Sequence, residues 1–149
     1  MSTKTRFAVA VTAVALFWAG FAYYLSRPAD YRAYHRTMLQ VAESAHDAAQ
    51  TGRLTAEQQL AGRVTSLFAR TAFEDAGQAL AGAQKKFANQ GPPDARSAAL
   101  RDGLAPLLSA AVTALGDTSQ ASDNSTLRSG AAELDTLAQH LDDFITAHQ

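Results

Sequence analysis

The sequence predicts an all-α chain: a single N-terminal transmembrane helix followed by an antiparallel, up-down-up-down four-helix bundle. Three observations carry this. Phe7 to Leu25 (FAVAVTAVALFWAGFAYYL) is apolar or small throughout and uncharged. Four later segments repeat apolar residues at spacings of three and four, the period of an amphipathic helix. No segment alternates apolar and polar residues as a half-buried strand does.

The leading run comes first. At about 1.5 Å per residue its length approaches the roughly 30 Å hydrocarbon core of a bilayer. Residues 1–6 form a short basic tail with Lys4 and Arg6, and Tyr23 and Tyr24 stand where aromatic rings suit the headgroup level. A cleavable secretory signal is the competing account, with Gly20 and Ala22 as the small residues before a cleavage site. The run exceeds the usual h-region, which favours an uncleaved anchor over residues 7–25. Basic residues flank both ends. A short basic tail before a first apolar run stays in the cytoplasm, which sets the C-terminal domain outside it, on the periplasmic or cell-surface side of a single-pass cell-membrane protein. Within the run Ala8, Thr12, Ala15, Ala19 and Ala22 line one face, where a second membrane helix can approach closely. Chance alignment in an alanine-rich chain is the plainer account of that face.

Residues 28–149 are predicted to form the bundle. Pro28 interrupts the membrane helix and suits the first turn of the next. Tyr31, Tyr34, Met38, Val41, Ala45 and Ala48 mark a helix over about 29–50, which Gly52 is expected to stop. Thr55 and Gln58 have capping-box spacing and open a helix over about 55–89, with Leu60, Val64, Leu67, Phe68, Ala72, Ala76, Leu80, Ala83 and Phe87 as its stripe. Gly91-Pro92-Pro93 ends it, and Asp94 stands where a helix over about 94–115 begins. Gly103 and Pro106 predict a kink or break there. Gly116 to Asn124 reads as a polar loop. Leu127, Ala131, Leu134, Ala138, Leu141 and Ile145 mark the last helix, about 125–147.

Composition excludes several classes. The net charge of −1 gives no field to draw the whole chain to nucleic acid. The absence of cysteine removes disulfides, thiolate chemistry, Cys-ligated zinc and lipoprotein acylation. Abundant alanine, with Lys4, Lys85 and Lys86 the only lysines, suggests a GC-rich bacterial genome. No Gly-rich phosphate loop, G-x-S-x-G or H-E-x-x-H occurs.

The candidate sites are few. Arg27, Arg32 and Arg36 fall just after the apolar run, placed for anionic lipid headgroups; ordinary solvated charge with stems lying over Tyr31 and Tyr34 is the competing account. Glu43 and His46 have the Glu-x-x-His spacing of di-metal bundles but lack the second pair those sites need, so no metal site is expected. Met38 and His140 would stand at similar height in an antiparallel first–fourth pairing, an arrangement like the Met and His haem ligands of soluble b-type cytochrome bundles. Core filler and rim residue are their ordinary roles, and no resident cofactor is expected.

The sequence therefore points to a non-enzymatic, membrane-anchored helical bundle, an accessory or scaffolding subunit of a larger membrane complex. Its expected partners are the lipid bilayer and another membrane protein met through the membrane helix and the bundle. The alternative is an extracytoplasmic, sensor-like bundle that binds a ligand or haem.

Overall fold

Asp30 starts the first helix: its carboxylate accepts from the Arg32 N–H at 3.4 Å, and its extended backbone turns the chain into the helix. A computed structural model describes residues 30–149, and the predicted membrane segment and the tail before it lie outside that range. The described residues form four α-helices and no strand: α1 Tyr31–Leu60, α2 Ser66–Ala88, α3 Ala95–Ser119 and α4 Asn124–His148.

α1 runs ten residues beyond the expected stop. Gly52 is helical and buried, because it is a packing notch and not a terminator. A Cβ there would stand 2.5 Å from Leu115 Cδ1 and 3.1 Å from Leu134 Cδ1, so α3 and α4 both press into the space a side chain would fill. Thr55, expected to cap the second helix, is instead buried inside α1, with its hydroxyl donating to the Thr51 carbonyl at 2.7 Å. The left-handed turn belongs to Gly62, φ 67°. Thr65 is the true cap of α2, accepting from the Phe68 N–H at 3.2 Å.

This shift changes which residues α2 buries. Its inward line is Ala69, Phe73, Ala76, Leu80 and Ala83, and Leu67 and Phe68 point out. Leu60 and Val64 end α1 and occupy the turn, half-buried against the core.

Asp94 caps α3 as expected, accepting from the Ser97 N–H at 2.7 Å. α3 then continues through Gly103, Pro106 and Gly116 to Ser119. Pro106 removes one N–H, but Pro106 and Asp102 are both exposed, so the freed carbonyl meets solvent. Gly103 gives passage to the Phe144 ring, which a Cβ would approach to 3.3 Å. Only residues 120–123 remain as loop. Asp123 caps α4, accepting from the N–H groups of Ser125 and Thr126 at 2.8 and 2.9 Å.

The contacts give the directions. Gln40 and Lys86 meet across α1 and α2, Gly52 and Leu134 across α1 and α4, and Gly103 and Phe144 across α3 and α4. Each pair is antiparallel. α1 and α3 start at the same end, where Arg96 covers Tyr31. α1 packs on all three other helices, and the backbones of α2 and α4 do not come close. One core results, with alanine its commonest residue and Tyr34, Met38, Leu104, Leu134 and Leu141 among its largest fully buried side chains.

Polar ties are few. Arg53 pairs with Glu57 within α1 and reaches Asp135 of α4 at 3.4 Å. Arg101 of α3 donates to the carbonyls of Phe87 and Gln90 at 2.9 and 2.7 Å, closing the open end of α2, and lies 4.2 Å over the Phe87 ring.

By length and composition, α3 is the one described helix apolar enough to cross a membrane. Its Leu100, Leu104, Leu108 and Leu115 are buried in the core, and Arg96, Arg101, Asp102 and Asp117 lie along it.

Two glycines should behave oppositely. A Cβ on Gly130 would strike the Cβ and Cγ2 of buried Thr118 at 2.9 and 3.0 Å, whereas Gly77 has nothing within 4 Å. Gly130→Ala should lower stability by about 1–3 kcal/mol through overpacking, and Gly77→Ala should raise it by roughly 0.5–1 kcal/mol through helix propensity. Denaturant titration of the two variants measures both signs.

The caps set the acid limb. The Ser97 N–H holds the Asp94 carboxyl below the usual range, and the Ser125 hydroxyl leads the groups that hold Asp123 lower still. Both pKa values are depressed on folding, so their contribution is complete above the unfolded value of about 3.9 and drains away as pH falls below it. Melting temperature should be flat near neutrality and fall below about pH 4. Asp123→Asn keeps an oxygen acceptor at the cap without a titrating group, and should shallow that fall.

Candidate functional site

The end of the bundle that follows the apolar run collects the most chemistry. Asp30 turns the chain so that Tyr31 opens α1. Asp94 does the same for α3 and puts Arg96 beside it, and α4 finishes there with Phe144 and His148. The Arg96 guanidinium lies 4.1 Å over the Tyr31 ring. The Tyr31 and His35 rings stand 5.4 Å apart, and those of Phe144 and His148 4.3 Å apart. His148 Nδ1 donates to the Phe144 carbonyl at 2.7 Å, leaving Nε2 free of that bond. Tyr31, His35, Arg96, Leu100 and His148 line a cleft of about 460 Å³. A cation with two imidazoles around an open cleft can hold an anionic group.

Arg32 and Arg36 are exposed on α1 at this same end, and Arg27 lies outside the described residues. Neither of their guanidinium groups is among those that lie over an aromatic ring. Arg96 covers Tyr31, and Tyr34 is fully buried. Arg96 did not stand out in sequence because its neighbours come from other helices. Its signal is topological: in an up-down-up order the third helix starts where the first does.

Met38 and His140 do not come together. Met38 is fully buried, and His140 is exposed on α4. Gly52 lies beside Leu134, and Arg53 reaches Asp135. That register sets His140 level with the residues around Asp47, roughly 14 Å along the axis from Met38. The expected equal height fails because α1 is longer than its sequence punctuation suggests. Glu43 is exposed, and His46 turns to Asp47, with Nδ1 3.3 Å from Oδ1. Among the described residues no cluster of three or more metal-binding side chains forms. The small-residue face of Ala8, Thr12, Ala15, Ala19 and Ala22 lies outside the described residues.

A second opening runs between α1 and α2, a groove of about 620 Å³ bordered by small side chains such as Ser44, Ala48, Ala79 and Gly82. Comparison with protein-family models, with curated proteins and with solved structures finds no match.

The Tyr34 hydroxyl is buried with no hydrogen-bond partner among the described residues. Burying an unpaired hydroxyl costs about 1–3 kcal/mol. Tyr34→Phe should therefore match or exceed the parent in thermal stability, read by a calorimetric melt; a large loss would reveal a partner for that oxygen.

Proposed function

We propose that this chain is a non-enzymatic, single-pass membrane-anchored bundle that serves as an accessory or scaffolding subunit of a larger membrane complex, with the bundle on the extracytoplasmic side of the cell membrane. One observation carries it: an uncharged run long enough for a bilayer ends five residues before the cap of a bundle whose interior is filled by its own side chains. The run belongs in lipid because its apolar length has no polar face to present to water. The bundle belongs in water because each helix sets its apolar stripe inward.

The end of the bundle nearest that run supports the same assignment. Arg32, Arg36 and Arg96 are exposed there, within reach of headgroup phosphates once the run is inserted. Each basic side chain near an anionic surface adds about 1 kcal/mol. The partner is another membrane protein, met through the small-residue face of the run and through the bundle.

Membrane fractions washed with alkaline carbonate should retain the full chain in the pellet. In mild detergent it should co-purify with a second membrane protein in fixed ratio, and Ala15→Leu or Ala19→Leu should reduce that recovery. Release into the carbonate supernatant would overturn the anchor, and purification free of any fixed-ratio protein would overturn the subunit role.

A further inference from the structure

α2 has the fewest buried residues of the four helices: it packs on α1, less extensively on α3, and its backbone does not come close to that of α4. Leu67 and Phe68, at 74% and 61% exposure, are the most exposed large hydrophobic residues described. Phe68 heads an outward line at helical spacing, followed by Ala72, Asp75, Ala79, Gly82 and Lys86. Ala72 is half-buried and the others are exposed. Among the described residues, neither Asp75 nor Lys86 has an ion-pair partner. Lys86 makes only a long hydrogen bond to Gln40, 3.5 Å.

This line has a symmetry of its own. Reversal about a point between Leu80 and Ala81 exchanges Ala79 with Gly82 and Asp75 with Lys86. The same reversal sets Phe68 past Ala88, the last residue of the other copy's α2. A closed two-fold contact requires a surface complementary to its own reversed copy, and this one is.

We propose that a second copy of this chain docks antiparallel along α2, about a two-fold axis passing between Leu80 and Ala81. Ala79 and Gly82 let the two helices approach closely at the centre, and the partner helix settles into the groove between α1 and α2 that these residues border. Lys86 of each copy meets Asp75 of the other at both ends. A parallel pairing would set acid on acid and base on base, which disfavours it. The two-fold sets the two Tyr31 ends at opposite ends of the pair, at equal height along the two-fold axis. The inference is independent of the subunit role proposed above.

The test uses the full chain in mild detergent, with mass measured by light scattering across a dilution series. A dimer is expected. Lys86→Asp or Asp75→Lys alone should weaken it at least about tenfold, and the double exchange Asp75→Lys with Lys86→Asp should restore it to within about threefold. These positions are exposed, so circular dichroism and melting temperature should match the parent. Because the chain has no cysteine, Ala79→Cys chains mixed with Gly82→Cys chains should oxidise to a crosslinked pair. A monomer at every concentration, a dimer indifferent to both charge reversals, or a double exchange that restores nothing would overturn the proposal. So would a dimer lost only with Ala15→Leu, which would place the contact in the apolar run. An intrachain crosslink between Ala15→Cys and Ala79→Cys in a monomer would show that run folded into the groove, with the same consequence.

Discussion

Close approach of helices across small side chains is the constraint on which this bundle depends. α1 presents Ala42, Ala45, Ala48, Ala49, Gly52 and Ala56 to its neighbours. These give little apolar area each, so cohesion comes from short interaxial distances and from the leucines that neighbouring helices insert between them. The point of tightest approach is Gly52, where Leu115 and Leu134 arrive from two helices. α1 thereby touches even its diagonal neighbour α3. A larger residue at the notch would push two helices away together. The same logic operates at Gly130, where Thr118 fills the place of a side chain.

How much of this was readable in the chain depended on whether the signal was local. Periodicity at three and four residues is local, so the number and type of helices and most inward positions of α3 and α4 follow from it. The Asp94 cap is local too. Glycine and proline mislead because their meaning is tertiary. Gly52 and Gly116 resemble terminators until a partner helix or an exposed surface is known, and Pro106 resembles a break until its freed carbonyl is seen to face solvent. Moving one boundary then propagated. With α1 running to Leu60, the following turn shifted, the inward line of α2 began at Ala69, and Leu67 and Phe68 turned from expected core to surface.

The candidate site shows the same division. That basic residues gather where the bundle follows the apolar run is visible in order along the chain, through Arg32 and Arg36. The cleft itself is not, because Tyr31, Arg96 and His148 come from three helices and meet only through topology. Pairing Met38 with His140 failed for a related reason. Height within a bundle is counted from the turns, and the first turn lay about ten residues beyond its apparent place. An error of that size moves a side chain by roughly three helical turns.

The uneven wrapping of α2 also orders the ways in which the molecule can loosen. α1 is held by three helices and α4 by two, and the α3–α4 hairpin is locked by Thr118 against Gly130. α2 has α1 and a thinner seam with α3, with a glycine-bearing turn before it and a Gly-Pro-Pro turn after it. Local opening starts where the fewest apolar contacts must be surrendered. In an isolated copy the α2 amides should thus trade their protons with solvent first, while α1 keeps its own until the whole bundle gives way.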